Sequence, residues 1–73
     1  MTLNEKLTLI AQTIETDAGK LTAETKLADI GEWDSFSMIL VISMLDKHFD
    51  CKLTRDDIEA FTTVQDILDR MVD

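Results

Sequence analysis

The stretch that decides the fold is the most apolar segment of the chain, Asp34–Phe49, which reads DSFSMILVISMLDKHF. Nine of the fourteen residues from Phe36 onwards are apolar, and at about 100° per residue they do not form a single stripe. One face is the expected core side and contains Met38, Val41, Ile42, Leu45 and Phe49. A second stripe, at a spacing of four residues, is expected on roughly the opposite side and contains Phe36, Leu40 and Met44. A helix that is apolar on two sides in so short a chain exposes part of that surface, which predicts a contact site for another molecule.

Before this segment, the sequence predicts one helix and one long loop. Thr2 and Glu5 have the spacing of a capping box, and apolar residues follow at helical intervals until about Thr16. Those residues are Leu3, Leu7, Ile10 and Ile14. Residues 17–34 have no sustained period and contain both glycines, which is typical of a loop. Four isolated apolar residues are expected to fix this loop to the core and to keep it ordered: Leu21, Leu27, Ile30 and Trp33.

After the apolar segment, two further helix starts are recognisable. Thr54 has capping-box spacing to Asp57 and begins a short helix through Ile58 and Phe61, and Thr63 begins the last helix. The inner face of that last helix is expected to contain Val64, Ile67, Leu68 and Met71. The sequence therefore predicts an all-α fold, a small four-helix bundle of three main helices and one short helix. A long ordered loop joins the first and second helices.

Length and charge limit the possible functions. The chain has 73 residues, so residues 1–73 are expected to form one domain. Seven basic residues stand against fifteen acidic ones, a net charge of −8. A surface this negative repels phosphate backbones and anionic lipid headgroups, which excludes nucleic acid and membranes as expected partners. No apolar run approaches the roughly 18 residues of a membrane span, and the amino terminus lacks the order of a signal peptide. We expect a free-standing, monomeric, cytoplasmic protein.

Catalytic and metal-binding chemistry has few candidate residues. Cys51 and His48 are the one cysteine and the one histidine, which excludes an internal disulfide framework and a Cys/His zinc site. Neither has a partner at a spacing that suggests a nucleophile and its base. The simplest interpretation is a small half-buried cysteine and a surface histidine late in a helix. We therefore expect neither a metal site nor an enzyme.

The start of the apolar segment, Asp34-Ser35, allows two interpretations. In the simpler one, Asp34 or Ser35 is only the N-cap of the helix. In the other, Ser35 is an attachment point for an anionic group, because an anion there lies at the positive end of the helix dipole. Such a group would also lie at the edge of the stripe that begins at Phe36, where a partner could contact both.

At this point the sequence resembles a known family. Gly31–Phe36 reads GEWDSF and, followed by a strongly apolar helix, is similar to the G-x-x-D-S-[LMF] signature of acyl carrier and peptidyl carrier proteins. The resemblance covers nearly the whole chain. It includes the length, the acidity, the order of helices, the sequence LADIG at Leu27–Gly31 and the sequence FTTVQDI at Phe61–Ile67.

The resemblance implies a shuttle rather than a catalyst. Ser35 would carry 4′-phosphopantetheine, which a phosphopantetheinyl transferase moves from coenzyme A and whose thiol holds an acyl or aminoacyl group as a thioester. An acyl or aminoacyl ligase or transferase would load that thiol, and downstream biosynthetic enzymes would use the cargo. Asp34 and Phe36 match the family motif, and Ile39 and Leu40 are expected beside them in partner binding.

In some carriers an acyl chain lies between the helices, and by resemblance Leu45, Ile58 and Phe61 would line that space. For these three residues ordinary core packing is the preferred interpretation. The sequence also departs from fatty-acid carriers, since Leu40 and Lys47 occupy frequently acidic positions and Ser37 replaces a frequent Asp. Trp33 before Asp34 is more similar to peptidyl carriers and to free-standing carriers of secondary-metabolite or cell-surface biosynthesis. The alternative from another class is an unmodified helical interaction module with a degenerate carrier fold.

Overall fold

Four α-helices form the framework of the computed structural model, which describes residues 1–72. They are α1 (Leu3–Ile14), α2 (Ser35–Phe49), α3 (Arg55–Glu59) and α4 (Val64–Leu68). Two short 3₁₀ helices, Ala18–Lys20 and Leu27–Asp29, lie in the connection between α1 and α2. The all-α fold, the helix order and the short third helix are as predicted from the sequence. Within the described part of the chain, no helix has the length and apolar character needed to cross a membrane.

Side-chain caps begin the helices at the expected places. The Oγ1 atom of Thr2 accepts the N–H of Glu5 at 3.1 Å, and Glu5 Oε1 accepts the N–H of Thr2 at 2.8 Å. Thr54 and Asp57 repeat this reciprocal pair at the start of α3. At the start of α4, Asp66 Oδ2 accepts the N–H groups of Thr62 and Thr63 at 2.8 and 3.2 Å. These bonds favour the ionised carboxylates, so the backbone N–H groups hold the pKa of Asp57 and of Asp66 below the usual range.

The core takes side chains from every helix and from the long loop. The largest side chains that are fully buried are Ile10, Leu27, Val41, Leu45, Ile58, Val64, Ile67 and Met71. All four residues predicted for the inner face of the last helix are buried, but α4 ends at Leu68, so Met71 enters the core from beyond the helix. In α1 the helix ends at Ile14, two residues before the expected end, because Glu15 adopts a left-handed backbone with φ 59°. Leu3 lies outside the core and is 56% exposed.

The long loop is ordered, as predicted, and backbone hydrogen bonds fasten it in addition to the apolar anchors. Leu21, Leu27 and Ile30 are buried, and Trp33 packs half-buried against the core. In addition, the N–H of Leu27 donates to the carbonyl of Thr62 at 2.9 Å. The N–H groups of Val64 and Gln65 donate to the carbonyls of Thr25 and Ala23, both at 2.9 Å. The loop is therefore fastened to the segment between α3 and α4.

The second apolar stripe predicted for α2, Phe36, Leu40 and Met44, is not exposed along its whole length. The buried residues of α2 are Ser37, Val41, Met44 and Leu45, so placing Met44 on the exposed stripe was wrong. Residues four apart are rotated about 40° beyond a full turn on a helix of 3.6 residues per turn. The row from Phe36 through Leu40 to Met44 therefore starts in solvent, is half-buried at Leu40 and ends in the core.

Candidate functional site

Ser35 is the first residue of α2 and its side chain is exposed. The N-cap of this helix is the preceding residue, Asp34, whose Oδ1 atom accepts the N–H of Ser37 at 2.8 Å. The same interaction holds the pKa of Asp34 below its usual range, because a hydrogen bond to the charged form of a carboxyl favours that form. The Ser35 hydroxyl is thus left free of capping and faces solvent at the positive end of a 15-residue helix.

Ser37 fixes the approach of the loop to this helix start. Its side chain is only 5% exposed, and its hydroxyl donates to the carbonyl of Glu32 at 2.6 Å. The departure from fatty-acid carriers at Ser37, where they frequently have Asp, therefore lies at a buried position of α2. Ser37 points inward and ties the segment before Ser35 to α2.

Arg55, the first residue of α3, contacts the candidate attachment residue, Ser35, at the start of α2. Its Nη2 atom donates to Ser35 Oγ at 2.9 Å. Its Nε atom forms an ion pair with Glu59 Oε1 at 3.1 Å, one turn along the same helix. Sequence reasoning missed this contact because it joins residues twenty positions apart. The available signal was a cation in the first turn of a helix, a position that the helix dipole disfavours.

The apolar surface next to Ser35 is narrower than predicted. Phe36 is 67% exposed and Ile39 is 52% exposed, so these two partner-facing candidates lie on the solvent side of α2. Leu40 is half-buried and lines an open groove of about 210 Å³ together with Asp34 and Phe36. The structure thus gathers Asp34, Ser35, Phe36 and Ile39 at one end of α2 and places Leu40 at the margin.

The three residues that resemblance placed around an acyl chain fit the preferred interpretation as core. Leu45 and Ile58 are completely buried. Phe61 is half-buried, and the guanidinium of Arg70 lies 5.9 Å from the centre of its ring. His48 is exposed and Cys51 is half-buried. Among residues 1–72, no group of three or more His, Cys, Asp or Glu side chains is arranged to hold a metal ion.

Comparison with protein families agrees with this geometry. The family described as "Phosphopantetheine attachment site" matches residues 7–71, so the helical domain is of the phosphopantetheine-carrying class. The chain belongs to this family. Domains of this family are sites of covalent 4′-phosphopantetheine attachment and are not themselves catalytic; they interact with phosphopantetheinyl transferases and with biosynthetic enzymes.

The residues at the start of α2 fit such a group. Attachment requires an accessible hydroxyl, which Ser35 offers. The attached phosphodiester is an anion, and both the amino-terminal end of α2 and the guanidinium of Arg55 provide positive charge beside that hydroxyl.

Proposed function

We propose that the chain carries an acyl or aminoacyl group as a thioester on a 4′-phosphopantetheine arm attached to Ser35. It delivers this cargo to partner enzymes in fatty-acid-like, secondary-metabolite or cell-surface biosynthesis. The observation that supports Ser35 most directly is its exposed hydroxyl at the first residue of α2, inside the matched region. The phosphopantetheine arm suits delivery, because it presents one tethered substrate to several enzymes at a high effective concentration.

The other serines make less suitable attachment residues. The chain has three serines, and the hydroxyl of Ser37 is buried and bonded to Glu32. Ser43 is exposed, but it lies in the middle of α2, where backbone N–H groups are occupied within the helix. Only Ser35 combines an exposed hydroxyl with the positive end of the helix.

Ser35 needs no activating base of its own in this proposal. Its Oγ attacks the β-phosphorus of coenzyme A, the bond from that phosphorus to the 3′,5′-bisphosphorylated adenosine breaks, and the hydroxyl proton passes to a base of the transferase. The transferase also supplies Mg²⁺, which stabilises the charge that develops on the phosphoryl oxygens. The carrier itself then performs no catalysis, and we propose that it acts as a monomer in the cytoplasm.

Phe36 and Ile39 support a role in partner recognition. Their exposed side chains form an apolar surface within one helical turn of Ser35, and exposed apolar patches commonly mark protein contacts. A partner on this surface contacts the carrier and reaches the modified serine at once. The same observation favours the second candidate function, an unmodified interaction module that binds through Phe36 and Ile39 alone.

Intact-protein mass spectrometry separates the two functions. The purified chain is incubated with coenzyme A, Mg²⁺ and a promiscuous phosphopantetheinyl transferase, beside Ser35→Ala and the matched control Ser43→Ala. We expect the wild type and Ser43→Ala to gain the mass of one phosphopantetheine and Ser35→Ala to gain none. If the chain gains no mass here and also lacks the arm when recovered from its native cell, the interaction module is the better description. If Ser35→Ala is modified, the assignment of the residue is wrong.

A further inference from the structure

We infer that Arg55 is the phosphate-binding residue of this carrier: its guanidinium binds the phosphodiester once the arm is attached to Ser35. This inference rests on the proposed function, since it takes Ser35 as the attachment residue. The contact that supports it exists before modification, because Arg55 Nη2 lies 2.9 Å from Ser35 Oγ. That oxygen becomes the ester oxygen of the phosphodiester, so the charged phosphate oxygens lie two bonds from an atom that Arg55 already touches.

The guanidinium is held in place by a second interaction that leaves donors free. Arg55 Nε is paired with Glu59 Oε1 at 3.1 Å, which orients the planar group while Nη2 faces Ser35. A guanidinium has five N–H donors in a fixed fork, and these two contacts use only part of them. The remaining donors suit the two non-bridging oxygens of a phosphodiester, which arginine binds in the same forked geometry as a carboxylate.

The contact between Arg55 and Ser35 places a positive charge where modification adds a negative one. The chain has a net charge of −8, and the attached phosphodiester adds a further negative charge next to the Asp34 carboxylate. Like charges at one place destabilise the folded state. Helix α2 has no acidic side chain in its first turn, and Arg55 supplies a cation in direct contact with the attachment oxygen. Arg55 therefore offsets the charge that modification introduces, and it restricts the base of an otherwise flexible arm.

The first test follows both arginines of the wild-type chain by NMR. The chain has two arginines, and Arg70 lies over the ring of Phe61, which makes it an internal control. On conversion of the apo protein to the holo protein, verified by mass, we expect the side-chain ¹⁵N–H resonances of Arg55 to shift and those of Arg70 to stay in place. Unchanged Arg55 resonances in a fully modified protein would overturn the inference and leave the proposed function intact.

The second test uses a difference of melting temperatures, which cancels whatever Arg55 does in the unmodified protein. The Tm of the holo protein minus that of the apo protein is measured for the wild type, Arg55→Gln and the control Arg70→Gln. In low salt we expect this difference to fall by about 2–4 °C in Arg55→Gln, and to be unchanged in Arg70→Gln. The loss should shrink in high salt, where charge interactions are screened, and Arg55→Lys should recover part of it.

The outcomes separate the two proposals. A holo Arg55→Gln protein with the wild-type Tm difference refutes the role of Arg55 while Ser35 remains the attachment residue. A chain that accepts no arm on Ser35 refutes both.

Discussion

The two sides of helix α2 differ in what they contribute. On the inner side, Val41, Met44 and Leu45 are at most 5% exposed and belong to the common core. On the outer side, Ser35, Phe36 and Ile39 are exposed at the amino-terminal end. The inner side stabilises the domain, whereas the outer side is the surface proposed above for partner contact. One apolar helix thus provides both a core face and an exposed face, because the two are divided along its length as well as around it.

The largest effect is expected on the inner side. Leu45→Ala removes a completely buried side chain, which should lower the free energy of unfolding by about 2–5 kcal/mol. A core of this size supplies only about 3–5 kcal/mol in total, so much of the protein should be unfolded at physiological temperature. Ile39→Ala on the outer side is the control and should stay within about 0.5 kcal/mol of the wild type. Urea denaturation followed by circular dichroism measures both, and equal losses in the two variants would contradict the division.

A charge on the outer side should affect binding and not folding. Ile39→Glu puts a carboxylate into the proposed apolar contact and should lower kcat/KM of a phosphopantetheinyl transferase for the carrier about tenfold, roughly 1.4 kcal/mol. Ser43→Glu adds the same charge at an exposed position further along α2 and is the matched control. An equal effect of both variants would indicate that net charge, not the Ile39 contact, governs recognition.

Leu40 lies at the margin between the two faces of α2, and Leu40→Glu tests which face it serves. We expect it to weaken partner binding without unfolding the domain. Because Leu40 is half-buried, its unfolding free energy should fall more than that of Ile39→Glu, by on the order of 1 kcal/mol. Wild-type binding by a folded Leu40→Glu protein, measured by the same transferase assay, would remove Leu40 from the contact surface.

A substitution at Ser37 tests whether the inner side of α2 also positions the loop before Ser35. Ser37→Ala removes the hydroxyl that donates to Glu32, at a cost of about 1 kcal/mol. It should also loosen the loop before Ser35, seen as faster amide exchange at Trp33, whose N–H donates to the carbonyl of Ile30. Ser43→Ala serves as control in the same denaturation and exchange experiments. Unchanged exchange in Ser37→Ala would mean that the loop holds its place without this bond.

The smallest effect is expected from pH. The folded-state pKa values of Asp34, Asp57 and Asp66 are lowered by backbone N–H donors. Their stabilisation is therefore complete above the unfolded-state pKa of about 3.9 and is lost as the pH falls through the lower folded-state values. Tm should thus decline below about pH 4, and the Tm of Asp66→Asn should decline less steeply. A Tm that is flat down to the pKa of the unfolded carboxyls and beyond would contradict this account.

Much of the fold was predictable because its signals are local. The capping pairs at Thr2 and Thr54 and the inner face of α4 depend on spacings of a few residues. The burial of Met44 and Ser37 was not predictable in this way, because it depends on which neighbours α2 has on each side. Arg55 was missed for a related reason, since its contact with Ser35 needs the α2–α3 connection to fold first. At the candidate site, the motif predicts the serine and the geometry adds the cation beside it.

The backbone hydrogen bonds between the long loop and the start of α4 have a consequence for synthesis on the ribosome. Residues 23–27 form hydrogen bonds with residues 62–65, which follow α2 and α3 in the sequence. When only α1, the loop and α2 have emerged from the ribosome, these partners are still missing. The N–H of Leu27 then has no Thr62 carbonyl to donate to. We therefore expect the domain to complete its fold only after residues 62–65 have left the exit tunnel.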